Sequence, residues 1–176
     1  TTRLTASGLS MVEWKPLMGA LPPLGEAEWL VAFDKYKQFP QYQQVNTWME
    51  LADFKQIFFW EYLHRLWGRT LGLIFLLPWL WFVARRQLRG AWIGKTFAAF
   101  VLGGAQGLLG WYMVKSGLVD VPQVSHFRLA SHLMLAAAVA NYVMWLGLEV
   151  RFGPRWSFHG PTWAIIGLVA LQVLWG

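Results

Sequence analysis

Three long apolar runs, separated by short basic or polar segments, dominate the pattern of this chain. They cover about residues 60–84, 96–114 and 126–148. Each run is long enough to cross roughly 30 Å of hydrocarbon as a helix. A fourth run occupies residues 160–176, and we expect it to be the truncated start of another transmembrane helix. The pattern therefore predicts an all-α fold, a polytopic membrane helix bundle.

The first part of the chain, residues 1–54, has a different pattern. It mixes polar and apolar positions and carries several prolines, which break regular structure. Within it, residues 26–39 place Trp29, Phe33 and Tyr36 near helical spacing, which predicts a short amphipathic helix. We expect residues 1–54 to form an external segment and residues 55–159 to form the bundle.

The basic residues predict the orientation of the spans. Clusters of basic residues follow the first and third runs, and such loops face the cytoplasm or matrix. These residues are Arg85, Arg86, Arg89 and Lys95 in the first cluster, and Arg151 and Arg155 in the second. The N-terminal segment and the loop of residues 115–125 are then expected on the opposite side.

Composition excludes several classes of site. Hydrophobic residues make up 56% of the 176 residues, and there are 13 Trp and 12 Phe, as expected of a membrane protein. No cysteine is present, which excludes disulfides, thiolate metal sites and cysteine nucleophiles. The net charge of +6 does not indicate a nucleic-acid partner, because the basic residues lie between apolar runs rather than along one solvated face.

Four ionisable residues stand at the mouth of the first apolar run, namely Glu61, His64, Arg65 and Arg69. Glu61 and His64 are three residues apart and share one helix face. Arg65 and Arg69 form a second stripe beside them. Ionisable groups at the edge of a bilayer are costly to desolvate, so this stretch is a functional-site hypothesis by default.

His64 and His132 are expected at similar depths on antiparallel helices, near the side that faces away from the basic loops. Two facing imidazoles are a suitable axial pair for haem iron in a helix bundle. Zinc is less favoured, because no third ligand is evident. Each histidine could instead be a structural core residue. His126 lies about 240° around the helix from His132 and is interpreted as interfacial, and His159 is expected on the opposite side.

Two interpretations stay open for the charged residues around the histidines. Glu61 either pairs with an arginine and fixes the helix end, or lies beside the cofactor as a proton acceptor or electrostatic stabiliser. Arg65, Arg69 and Arg128 either bind haem propionates as charge-assisted pairs or extend toward lipid head groups.

Four separated blocks of the chain resemble the haem A synthase family, in its proteobacterial and mitochondrial type. They are TRLTASGLS at residues 2–10, EYLHRLWGR at 61–69, QGLLGWYMVKSGL at 106–118 and RLASHL at 128–133. The other bacterial type of this family carries a cysteine pair in its first external loop, which this chain lacks.

The resemblance implies a function and a set of site residues. The family oxidises the C8 methyl group of haem O to a formyl group, giving haem A for terminal oxidases. Its fold is eight membrane helices in two similar halves, each with a histidine pair for a haem. His64 and His132 match the first pair, with haem b as the expected cofactor, and Glu61 matches the acidic residue implicated in the oxidation.

Two other functions remain as alternatives: a bis-histidine electron-transfer cytochrome, and a non-enzymatic partner in oxidase assembly. By resemblance, we expect a fragment that lacks one helix at the front and most of the second half, and that is inactive when isolated. Expected partners are haem O, haem O synthase, oxidase assembly factors and a further copy of the chain. The expected location is the bacterial inner membrane, or the mitochondrial inner membrane in a eukaryote.

Overall fold

The computed structural model describes residues 5–13, 21–117, 124–153, 167 and 171–172. Within them the chain forms helices α1 (Glu26–Lys37), α2 (Pro40–Gln44), α3 (Leu51–Ala84), α4 (Ala91–Gly117) and α5 (His126–Phe152). These described residues include no strand, so the prediction of an all-α fold is confirmed for them. The fourth apolar run, predicted at residues 160–176, lies almost entirely outside the described residues.

The three long helices match the three predicted spans. Helices Leu51–Ala84, Ala91–Ser116 and His126–Phe152 are each long and apolar enough to cross a membrane. All three extend beyond the predicted runs, and α3 begins at Leu51 rather than near Trp60. At its start, Asp53 Oδ2 accepts a hydrogen bond at 3.1 Å from the backbone N–H of Glu50, the residue before the helix, as an acidic residue at the third helical position does in a capping box.

The chain divides into two compact units, which we describe separately. The first unit contains residues 1–71 and 111–125, and the second contains residues 72–110 and 126–176. Helices α3 and α4 each contribute to both units.

An aromatic cluster forms the core of the first unit. Phe54 of α3 is completely buried and stacks on Phe33 and Tyr36 of α1, with ring centroids 5.0 and 5.2 Å apart. The predicted amphipathic helix is thus present, but it ends at Lys37 and the chain re-enters a helix at Pro40. Proline suits this first position because it has no backbone N–H to leave unpaired.

Tyr36 joins this cluster to its polar neighbours. Its hydroxyl donates to Gln41 Oε1 at 3.1 Å and accepts from Asn46 Nδ2 at 2.8 Å. Burial raises the pKa of Tyr36, so the phenol stays neutral at physiological pH and keeps its donor. Gln41 in turn donates from Nε2 to the carbonyl oxygen of Ala6 at 3.1 Å, which connects α2 to the start of the chain.

The second unit is a helix bundle held by aromatic and polar contacts. Phe75 of α3 stacks on Phe100 of α4 with centroids 6.4 Å apart. Trp79 donates from its indole Nε1 to Thr96 Oγ1 at 3.0 Å. The Tyr142 hydroxyl of α5 donates to the Lys95 carbonyl oxygen of α4 at 3.1 Å. The membrane helix bundle predicted from the sequence is confirmed.

Lys95 corrects one detail of the sequence analysis, which grouped it with the basic residues of a loop. It lies inside α4, and its ammonium pairs with the Glu149 carboxylate of α5. The Lys95 ammonium also lies 5.1 and 5.2 Å from the ring centroids of Trp92 and Trp145. Glu149 is only 9% exposed, whereas the Lys95 side chain is 31% exposed, so the carboxylate is the buried partner of this pair.

We expect Lys95→Met to lower the stability of the protein by roughly 2–4 kcal/mol, because it leaves the Glu149 charge buried without its partner. The matched control is Lys37→Met, which removes an exposed pair with Asp34 and should cost about 0.5 kcal/mol or less. Unfolding in detergent would measure both changes. Equal effects of the two substitutions would contradict the structural role of the buried pair.

Candidate functional site

Glu61 lies on the buried face of α3. It follows Phe54 and Phe58 at intervals of four and three residues, so the helix places all three on one side. Glu61 is only 2% exposed. The carboxylate therefore belongs to the interior of the first unit, next to the aromatic cluster.

The N-terminal strap, defined here as residues 5–13, supplies the hydrogen bonds to this carboxylate. Glu61 Oε2 accepts from the Ser10 hydroxyl at 2.9 Å and from the Met11 backbone N–H at 3.0 Å. Arg65, one turn along α3, donates from Nη2 to Glu61 Oε1. Both carboxylate oxygens thus have donors, as a buried charge requires.

Arg65 also ties the strap to α3. Its Nη2 donates to the Met11 carbonyl oxygen at 2.9 Å, and its Nη1 donates to that of Glu13 at 3.3 Å. The ion pair between Glu61 and Arg65, one of the two interpretations from sequence, is therefore present. The predicted role of Glu61 beside a cofactor remains a prediction. The ion pair with Arg65 is compatible with that role, because it holds the carboxylate in place.

His64 lies one turn beyond Glu61 on α3 and is exposed. Gly68 and Gly72 follow it at four-residue intervals, and a Cβ on either glycine would meet nothing within 4 Å. The helix therefore leaves open space at Gly68 and Gly72, about one and two turns beyond the imidazole. Arg69 is half-buried on the same helix.

His132 lies on α5 in the second unit and contacts α4. Gln106 donates from Nε2 to the His132 carbonyl oxygen at 2.9 Å, and the same nitrogen lies 3.2 Å from the imidazole Nε2. The ring also packs against Gly110, where an added Cβ would lie 3.0 Å from His132 Cε1. The amide and the missing side chain of the glycine together determine where the imidazole lies.

We expect Gly110→Ala to displace the His132 imidazole by a few tenths of an ångström. If His132 binds haem iron, the visible haem spectrum of the variant should change. Gly94→Ala is the matched control, since its Cβ would meet nothing within 4 Å on the same helix. Both changes gain the same helix propensity. A spectrum of Gly110→Ala identical to that of Gly94→Ala would contradict the close packing.

The structure brings Glu61 and Arg65 together, whereas the predicted histidine pair stays a prediction. His64 belongs to the first unit and His132 to the second. Arg128 lies one turn before His132 on α5, and His126 is exposed at the first residue of that helix. His159 lies outside the described residues.

Sequence reasoning assigned no role to Ser10, Met11 or Gln106. Ser10 contacts a residue 51 positions away, and helical periodicity carries no signal for such a contact. A signal did exist in the blocks of resemblance, because Ser10 ends the first block and Gln106 begins the third.

Comparison with known proteins places this chain in a family. The COX15-CtaA model, described as cytochrome oxidase assembly protein, matches residues 1–176. The chain belongs to this family.

Curated proteins similar to this chain include several named haem A synthase. The chain is 46% identical to the haem A synthase of Paramagnetospirillum magneticum and 47% identical to that of Rhodospirillum centenum, over 99% of its own length in each case. It covers 52% and 48% of those relatives, so the chain spans about half their length. No solved structure matches it.

Proposed function

We propose that this chain contributes a haem site and an acidic residue to a haem A synthase, which oxidises the C8 methyl group of haem O to a formyl group. Family membership and the haem A synthase relatives support this function. The observation that carries it to particular residues is the helix α3, on which a buried carboxylate and an exposed histidine lie one turn apart.

The residues present fit a haem group. His64 is exposed beside two glycines with open space, and His132 occupies a defined position against Gly110. We propose that these two imidazoles would hold a haem b, whose iron would supply one-electron transfer. Arg69 and Arg128 are the proposed partners of the propionates.

Arg65 has a different assignment in this proposal. Its guanidinium already contacts Glu61 and the strap carbonyls. We therefore assign Arg65 to holding the carboxylate, with contact to a propionate as a second role for its remaining donors. In this proposal Arg65 holds Glu61 in position, and the pair lies beside the haem.

Glu61 is the proposed catalytic residue. Converting a methyl to a formyl group with water as the oxygen source releases four protons and four electrons, and the electrons must pass to an external electron acceptor. A positioned carboxylate assists such a conversion either by accepting a proton or by stabilising positive charge that develops on the substrate. The donors from Ser10, Met11 and Arg65 keep the carboxylate in a fixed position for either role.

The proposed cellular setting is that expected of a haem A synthase. We propose that the protein lies in the bacterial inner membrane, or in the mitochondrial inner membrane of a eukaryote. It would receive haem O from a haem O synthase and supply haem A to oxidase assembly factors, alone or as a homo-oligomer.

The test is expression of the gene's full-length product in a host that makes haem O and has no haem A synthase of its own. Chromatography of extracted haems should show haem A. A haem spectrum without haem A would favour a bis-histidine electron-transfer cytochrome instead. Absence of both would favour a non-enzymatic assembly partner.

A further inference from the structure

Ser10 has an unusual position among the partners of Glu61. It is 1% exposed, and its Oγ lies 2.9 Å from Glu61 Oε2 and 2.7 Å from the carbonyl oxygen of Ser7. The carbonyl oxygen of Ile57 is a third, more distant acceptor at 3.4 Å. A hydroxyl has one hydrogen, so it donates to one of these acceptors at a time, and the two nearer ones are favoured. The choice between them depends on the state of the carboxyl group.

The other two partners of Glu61 among the described residues can only donate. Arg65 offers guanidinium N–H groups and Met11 offers a backbone N–H, and neither has an acceptor at that atom. A proton placed on Oε1 would point at the cationic guanidinium. Oε2 is therefore the favoured place for a proton on Glu61, because the Ser10 oxygen can accept a hydrogen bond there.

The two states need no displacement of the heavy atoms. When Glu61 is a carboxylate, the Ser10 hydroxyl donates to Oε2, and this charge-assisted bond is the stronger choice. When Oε2 carries a proton, that proton is donated to Ser10 Oγ, and the hydroxyl rotates to donate to the Ser7 carbonyl oxygen. The strap stays bound in both states.

We propose that Ser10 is a positioning residue for Glu61, which lets the carboxyl group take up and return a proton while the strap remains in place. This inference rests on the proposed catalytic role of Glu61. It adds a residue from the N-terminal strap, 51 positions away in sequence, to the machinery of the reaction.

Ser7 provides a matched control. It is as buried as Ser10, at 0% exposure, and its hydroxyl bonds to Thr5 Oγ1 at 2.8 Å rather than to Glu61. Ser7→Ala removes a buried hydroxyl from the same strap and keeps the carbonyl oxygen that Ser10 uses. Ser10→Ala removes the group that faces Glu61.

The experiment compares Ser10→Ala, Ser10→Thr, Ser7→Ala and Glu61→Gln in the full-length product, expressed in a host that makes haem O. Haem A, haem O and any intermediate are measured per molecule of protein, together with the haem spectrum. We expect Ser10→Ala to lower conversion about tenfold, the effect of one charge-assisted hydrogen bond, with an unchanged spectrum. Ser10→Thr, which keeps the hydroxyl, should convert haem O at about the wild-type level. Conversion by Ser7→Ala should stay within about twofold of wild type.

Each result decides between the claims. Normal conversion in Ser10→Ala, with Glu61→Gln impaired, would overturn the role of Ser10 and leave the proposed function intact. Normal conversion in Glu61→Gln would overturn the catalytic role itself. Equal losses in Ser10→Ala and Ser7→Ala would reduce Ser10 to a structural residue. If Ser10→Ala lowers the amount of protein, Ser10→Cys, which is nearly isosteric and a weaker donor, is compared with wild type by the same criteria.

Discussion

Replacing either His64 or His132 with alanine should abolish the low-spin haem spectrum contributed by this pair. Two imidazoles impose a strong ligand field on the iron, and loss of one leaves a five-coordinate or water-ligated, high-spin haem. His64 gives the cleaner result, because it is exposed and its removal leaves no cavity in the described structure. Visible and electron paramagnetic resonance spectra of membranes containing the full-length product would measure the change.

His126 is the control for this experiment. It lies on the same helix as His132 and is exposed, yet it points about 240° away around the axis. His126→Ala should therefore keep the spectrum. If both His64→Ala and His132→Ala also keep it, the proposed axial pair is wrong.

Replacing Glu61 with glutamine should leave haem bound but reduce conversion of haem O by about 100-fold, the usual scale for a lost acid–base group. Glutamine keeps the volume of the side chain and removes the charge. Its amide also offers one acceptor oxygen where the carboxylate has two, so one of the donors from the strap or Arg65 loses its partner. Haem chromatography should show haem O, or a stalled intermediate, in place of haem A.

Glu149→Gln tests whether this loss is specific to the site. Glu149 is a second buried carboxylate on a membrane helix, and it also pairs with a basic residue. Its substitution should lower stability but leave conversion per folded molecule close to wild type. Equal loss of conversion in the two variants would indicate a general effect of removing buried charge.

The sequence was sufficient for features that depend on local pattern. Apolar length predicted three spanning helices, and aromatic spacing predicted the helix that carries Phe33 and Tyr36. The spacing of three residues placed Glu61 and His64 one turn apart on α3, but it did not predict that Glu61 would be buried and His64 exposed. These features depend on the geometry of a single helix, which the sequence determines almost directly.

Features that depend on distant contacts were not accessible in the same way. Lys95 pairs with a residue 54 positions away, and Ser10 with one 51 positions away. Periodicity says which face of a helix is polar but does not identify its partner. The start of α3 at Leu51 was missed for a related reason. Its first turns are covered by α1, through contacts such as that of Phe54 with Phe33, and hydropathy detects only the apolar part of the helix.

Helix α3 carries the aromatic cluster and the site on one uninterrupted axis. Phe54, Phe58, Glu61 and Arg65 succeed one another at intervals of four, three and four residues, with no break in the helix between them. One inserted residue between Phe58 and Glu61 would turn everything beyond it by about 100° and carry the carboxylate away from Ser10. The number of residues in this stretch is therefore constrained as well as their identity, because the aromatic cluster and the strap must share one angular phase on the helix.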